Sequence, residues 1–429
     1  MTRISRRNLI AGALAGSASL SAPMLWAQGA AHRVVILGGG IGGATAAKYI
    51  RMINPEAEVT IIERDRTYYT CPRSNDVITG VLDLDTITFD LSSHRQNYGV
   101  KTIYDEVVGV DFDAHLVRTA DGSDVPYDRL IVSPGVDLMI DQVEGHSHEA
   151  AETVMPHGWK AGPQTMNLRQ QFLNLRPGGT VVIVAPPNPF RCPPGPYERA
   201  SMMADHFRHH NPTAKVIILD PKNKFTKQGP FTKGWERLYG YGTDDALLEW
   251  VPEEQGGAVI SVDPENMSVE TAAGTFKGDL VNVIPPMQAG RLAKTLGLTN
   301  ETNWCPVDQT TFASTLAPDV HVIGDSCIAG AMPKSGYAAN SQAKMLAHVI
   351  RSELQGQPLP VASFANACYS LVAEDYGVSI AAIYAVNEEG KIVSTAGGVS
   401  AIDDKPNRPV LEAVYQKNWH RSFAADVFS

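Results

Sequence analysis

The first clear pattern along the chain is a β-branched apolar run in "HRVVILGGGIGGATAAKYIRMI", Val34 to Leu37, which passes through glycines into an Ala-rich stretch. "EVTIIERD" supplies the next apolar run. Short apolar runs bounded by turn residues predict buried strands, and the Ala-rich segment between them predicts a helix. The unit starts again downstream. "GGTVVIVAP" leads into "NPFRCPPGPYERA" as strand then helix, and "KVIILDPKNKF" returns as a strand. Later, "APDVHVIGDSC" predicts another strand and "PKSGYAANSQAK" the start of a helix. Strands alternating with helices in this way predict parallel sheets and an α/β fold.

The first strand-to-helix turn carries Gly38, Gly40 and Gly43 with G-x-G-x-x-G spacing, and Glu63 ends the second strand 20 residues after Gly43. Glycines let a backbone approach a pyrophosphate at a helix N-terminus, and an acid at that position reaches a ribose hydroxyl. Strand, turn, helix and acid together point to an adenine dinucleotide site. The matching turn of the second unit, residues 186–196, holds six prolines and Cys192 instead. Proline has no N–H and a fixed φ, so this turn offers few amides to a second pyrophosphate. NAD(P)H is not expected to bind there.

Composition changes this picture little: 429 residues, 44% of them hydrophobic with 37 Gly and 28 Pro, suit a globular α/β protein with two or three cores. The N-terminus changes it more. Residues 1–29 contain Arg3, Arg6 and Arg7, no acid, and then "LIAGALAGSASLSAPMLWAQG", with a small-residue cleavage site near Ala27 to Ala31. "SRRNLI" matches a twin-arginine export signal, and the apolar stretch is too short and too rich in small residues for a membrane anchor. Removing three arginines and no acid takes the formal charge from -10 to -13. Such a surface disfavours nucleic acid and anionic lipid. The mature protein is expected to be periplasmic, with no integral membrane association. Five cysteines, an odd number, leave at least one outside internal disulfides. Neither C-x-x-C-H nor zinc-type spacing occurs, so neither a metal site nor a haem attachment is expected in this chain.

"YDRLIVSPGV" (Tyr127 to Val136) and "APDVHVIGDSC" (Ala317 to Cys327) resemble the closing strand and the second FAD signature of flavoproteins with two dinucleotide-binding domains. The resemblance implies FAD at the glycine turn, with Asp325 on its ribityl chain. The expected fold is two Rossmann-like domains of the glutathione reductase type plus a C-terminal α+β region. The corresponding boundaries are an export signal at 1–29, a FAD domain split between 30–160 and 286–355, a second Rossmann-like domain at 161–285, and an interface region at 356–429.

A closer resemblance rests on "TYYTCPRSNDVITG" (Thr67 to Gly80), "FRCPPGPYERAS" (Phe190 to Ser201), "KGWERLYGYGT" (Lys233 to Thr243), "LTNETNWCPVD" (Leu298 to Asp308), "GDSCIAGAMPKSGYAANSQ" (Gly324 to Gln342) and "ACYSLVAEDYGVSIAAIY" (Ala367 to Tyr384). Together these resemble the flavin-binding subunit of flavocytochrome c sulfide dehydrogenase across essentially the whole mature chain. The resemblance implies that Cys71 carries FAD covalently through its 8α-methyl. It also implies that Cys192 and Cys368 form a redox disulfide beside the flavin, which hydrosulfide attacks to leave a persulfide on one cysteine and a thiolate on the other. Which cysteine keeps the persulfide is left open. A purely structural bridge closing that long loop would stabilise the fold by about 4–5 kcal/mol. Glu198 matches a pocket glutamate able to take a proton. The helix beginning near Ser335 and Gly336 would face the flavin and favour its negative reduced form. Cys305 and Cys327 are expected to be buried free thiols. With no haem site in this chain, electrons would leave to haem c on a partner, a c-type cytochrome subunit; the aromatics of "AIYAVNEEG" and "YQKNWHRSF" are expected first to pack against the flavin domain, with a part in that interface as the alternative. The alternative is a sulfide:quinone oxidoreductase-like flavoprotein.

Overall fold

A computed structural model describes residues 32–402, 405 and 407–429. The expected export signal at 1–29 lies outside them. In chain order the elements that build the site are β1 (Arg33–Leu37), α1 (Ile41–Ile53), β2 (Glu58–Ile62), β3 (Lys101–Ile103), β4 (Arg129–Val132), β5 (Thr180–Val184), α2 (Gly195–His210), β6 (Lys215–Leu219), α3 (Gln228–Tyr239), β7 (Leu248–Val251), β8 (Leu280–Val283), β9 (Val320–Val322), α4 (Gly336–Gln355), β10 (Ser363–Ala373), β11 (Tyr376–Val386), β12 (Ile392–Val399) and α5 (Asn407–Phe428).

Two parallel sheets dominate. The first runs β9-β4-β1-β2-β3 and the second β7-β6-β5-β8, every pairing parallel. Their strands are apolar runs because both faces are covered, and Val34 to Leu37, Leu130 to Val132 and Val181 to Ile183 are all buried. β9 returns to the first sheet after the second has been completed, so the second unit is an insertion into the first. In both sheets the opening strand lies between the next strand and a later one. The order therefore reverses at its C-terminal end, where ligands bind in open α/β sheets. Each sheet also carries a small antiparallel meander, at residues 107–126 and 259–277.

The C-terminal region is an antiparallel β10-β11-β12 sheet packed against α5, the α+β region expected. Most of its aromatics pack inward, as the favoured reading expected, rather than standing free for an interface. Tyr384 and Phe423 are buried, and Trp419 stacks on Phe423 at 5.0 Å between ring centres. A large ring on the inner face of a helix gains more by burial than by exposure. Of the aromatics in those two stretches only Tyr415 is exposed, at 50%. Among the described residues no helix is long and apolar enough to cross a membrane.

Candidate active site

The C-terminal ends of β1 and β5 face one cavity of about 1320 Å³. Gly38, Gly40, Glu63, Cys71, Cys192, Glu198, Asp325, Ser335, Gly336 and Cys368 all line it. Gly43 lies one layer behind, where a Cβ would fall 1.9 Å from the Gly38 carbonyl oxygen. That contact allows α1 to start hard against the strand. Gly38 has φ +103°, and a Cβ there would meet the Ser133 carbonyl oxygen at 2.5 Å, so the turn requires glycine at both positions. No side chain caps α1, whose first amides are left for a ligand. Glu63 accepts the Gly39 N–H at 2.7 Å and the Asp65 N–H at 3.0 Å, which fixes its carboxylate at the cavity rim.

At the other end, Asp325 occupies a tight turn (Gly324–Ser326) with its Oδ1 buried and unpartnered. Burial raises its pKa, and Arg191 and Lys334 pull it back. Ser335 caps α4, accepting the Ala338 N–H at 3.1 Å and donating to Asn366 Oδ1 at 2.7 Å. Cradle, free helix start, rim carboxylate and orphan acceptor together fit an extended dinucleotide.

Three thiols lie along the cavity, and none is disulfide-bonded in the structure. Cys192 follows β5 in a left-handed conformation (φ 59°), its N–H donating to the Lys334 carbonyl at 2.8 Å. A non-glycine residue held there is strained, and the surrounding prolines and that hydrogen bond keep it in place. The Cys192 thiol turns to Cys71. Its hydrogen bond holds the Cys71 pKa below the usual thiol value against burial, helped by Arg191. Cys192 itself is raised by the same contact and by burial. Arg191 donates to the Trp159 carbonyl at 2.5 Å while its Nε has no partner. Burial opposes its charge, but Cys71, Asp325, Tyr68 and Cys192 outweigh burial and raise its pKa.

Cys368 comes from β10 and meets Lys227, whose ammonium lies 3.7 Å from its sulfur. Burial raises the Cys368 pKa, with Lys227 acting against it. Glu198, in the first turn of α2, accepts the Leu371 N–H at 2.9 Å, and burial lifts its pKa to about 7. Next to it Arg199 is almost wholly buried, donating to Asn75 at 3.1 Å, His157 at 2.9 Å and Asn282 at 2.7 Å, so that it ties α2 to β8 and to the segments carrying Asn75 and His157. Cys305 and Cys327 are buried free thiols away from this cavity, both pushed up to about 12 by burial.

Sequence reasoning missed Arg191, Arg199 and Lys227. Arg191 and Arg199 lie in the same short stretch as Cys192 and were discoverable. Lys227 had no local signal, since 141 residues separate it from Cys368.

The second unit repeats the strand order of the first but closes its own pocket. Asp220, after β6, corresponds in position to Glu63 after β2, yet both its oxygens are taken: Tyr197 donates at 2.7 Å, Trp250 at 2.9 Å, and Lys222 forms an ion pair at 2.6 Å. Phe225 stacks on Tyr197 at 3.7 Å and on Trp235 at 5.7 Å. In the proline turn, the Arg191 amide donates to Met287 Sδ and the Cys192 amide to Lys334. Space, acid and amides are all already used.

This geometry defines a flavoprotein of the pyridine nucleotide-disulfide oxidoreductase class, and residues 32–168 match the model of that class. Residues 165–285 match "Sulfide dehydrogenase (flavocytochrome c) flavoprotein chain, central", and residues 360–428 match "Flavocytochrome c sulphide dehydrogenase, flavin-binding". Over 45 residues, 10% of this chain and 94% of the other, it is 51% identical to the sulfide dehydrogenase (flavocytochrome c) flavoprotein chain of Chlorobaculum thiosulfatiphilum. The chain belongs to the flavocytochrome c sulfide dehydrogenase flavoprotein family, among the sulfide-oxidising flavoproteins, and FAD is its dinucleotide. It is also 25% identical over 342 residues, 76% of this chain and 72% of the other, to a mitochondrial sulfide:quinone oxidoreductase of Dictyostelium discoideum. The sulfide:quinone oxidoreductase of Aquifex aeolicus has the same fold, with TM-score 0.69 and 19% identity over 92% of this chain and 91% of that one.

With its second pocket filled, the flavin-loaded protein is expected to stay oxidised when mixed with NADH or NADPH. Stopped-flow absorbance of the flavin band checks this, and saturable bleaching by either nucleotide would contradict the closure.

Proposed function

We propose that this chain is the flavoprotein subunit of a sulfide:cytochrome c oxidoreductase, exported by the twin-arginine route and working in the periplasm. The observation that carries the proposal is the convergence of Cys71, Cys192, Cys368 and Glu198 on the dinucleotide cavity while the second unit is closed. When bound, FAD supplies a two-electron acceptor that can be reoxidised one electron at a time. Cys71, its sulfur drawn toward thiolate by Arg191 and the Cys192 thiol, is the tether. Cys192 and Cys368 are the redox pair. Hydrosulfide attacks their S–S bond, one sulfur leaves as thiolate and the other is carried as persulfide. Glu198 takes the proton released.

A c-type cytochrome as acceptor is supported by the two family models and by Val410, Leu411, Val414 and Tyr415, large apolar side chains exposed along α5 at helical spacing. Quinone is the second reading, favoured by the long alignments with sulfide:quinone oxidoreductases. The two are separated by purifying the chain from its native host and assaying sulfide oxidation with cytochrome c and with a soluble quinone. A co-purifying haem protein and cytochrome-dependent turnover support the first; quinone reduction without haem overturns it.

The raised Glu198 gives a pH signature. Below about 7 its carboxyl is protonated and cannot accept a proton, so kcat at saturating sulfide is expected to fall as pH drops through that value. Glu198→Gln should lower kcat about 10²–10³-fold and remove the inflection. An unchanged pH profile in the variant would assign the inflection to another group.

A further inference from the structure

Lys227 is an unusual place for a cation. It precedes α3 in a left-handed conformation (φ 66°), a strained backbone for a lysine, and is only 4% exposed. Its ammonium donates to Ser370 Oγ at 2.7 Å and to the Cys368 carbonyl at 3.3 Å, and lies 3.7 Å from Cys368 Sγ. Among the described residues no carboxylate lies within ion-pair distance of it, and Glu198, whose pKa it lowers, is the acid that acts on it from farther away. A buried ammonium is costly to keep charged unless an anion meets it at close range. The group positioned to become that anion is the Cys368 sulfur. Among the described residues no ammonium or guanidinium comes within hydrogen-bond distance of the Cys192 sulfur; the Arg191 and Arg199 charges act on it only from farther away, while Cys71, Cys368 and Glu198 raise its pKa.

We propose that Lys227 is a positioning residue that sets the polarity of disulfide cleavage, so that Cys368 departs as the thiolate and Cys192 keeps the persulfide. This rests on the redox-disulfide reading of the pair. In the step, hydrosulfide sulfur forms a bond to Cys192 Sγ while the Cys192–Cys368 S–S bond breaks. The electron pair of that bond goes to Cys368 Sγ, where the Lys227 ammonium and the Ser370 hydroxyl meet the charge. The incoming sulfur is oxidised from sulfide to the outer atom of a persulfide, the disulfide is reduced by the same two electrons, and the proton of hydrosulfide passes to Glu198. A leaving sulfur departs faster as its thiolate is better stabilised, which gives the contact its direction.

The test uses the flavin-loaded protein under anaerobic conditions and begins with a disulfide map of the oxidised wild type. A single equivalent of sulfide is then added, the products are trapped with iodoacetamide, and the peptides are weighed. The extra sulfur is expected on the Cys192 peptide and plain alkylation on the Cys368 peptide. In fully reduced protein, Lys227→Met should slow alkylation of Cys368 by about 10–100-fold and leave Cys192 unaffected, a selectivity that general loosening of the fold would not produce. Extra sulfur on Cys368, or an even division, overturns the inference and leaves the redox pair standing. The wild-type trapping decides this even if Lys227→Met does not fold. Absence of the Cys192–Cys368 disulfide from the map overturns both readings together.

Discussion

Serine at position 192 or at position 368 is expected to yield a yellow protein that no longer oxidises sulfide. The cradle at Gly38 to Gly43, Glu63 and Asp325 is built from other segments, so flavin content should be unchanged. Turnover per bound flavin should fall on the order of 10³-fold or more, because the electrophile that hydrosulfide attacks is gone. A structural bridge behaves otherwise. Its loss would cost a few kcal/mol of folding stability and lower yield, melting temperature and flavin content together. Sulfide-dependent reduction of cytochrome c, measured on both variants matched for flavin, separates the two. Near wild-type turnover per flavin in either variant would return the pair to a structural role.

Flavin should remain attached to the wild-type chain through acid precipitation and be released entirely from Cys71→Ser. Arg191 and the Cys192 thiol favour the Cys71 thiolate, and only a thiolate forms a thioether readily. The measurement is fluorescence of pellet and supernatant. Because Cys71 also receives the Cys192 hydrogen bond, Arg191→Gln should reduce the attached fraction without abolishing it. Wild-type flavin found wholly in the supernatant would remove Cys71 from the role of tether.

How much of this was legible in the chain depends on how local the physics is. The β1 run, the glycine turn, α1 and Glu63 lie within 31 residues and obey rules of spacing, so strand, cradle and acid were all readable. The parallel sheets followed from apolar runs that have no polar face. Asp325 and the cysteines carry no such signal in isolation; "VIGD" is an ordinary buried strand ending in a turn, and only longer motif similarity connected it to a cofactor. Lys227 was invisible because its meaning lies in β10, which the fold brings to it. The aromatics of the C-terminal stretches stayed open between packing and interface for a related reason: nothing in "YQKNWHRSF" says which side of α5 faces the sheet. Trp419 and Phe423 face inward, and Tyr415 outward.

The two parallel units share one plan, and in the second the plan has been filled from within. Its refitting as a nicotinamide site would therefore defeat a simple loop graft. Replacing residues 186–196 with a glycine turn would restore amides, but Asp220 would still be claimed by Tyr197, Trp250 and Lys222, and Phe225 would still fill the space between the rings. Reverting any one obstacle leaves the others in place, so partial reversions are expected to stay inert toward NADH. An engineer would meet a plateau of silent variants before any response to NADH, and the same plateau would insulate the protein's electron source from single mutations.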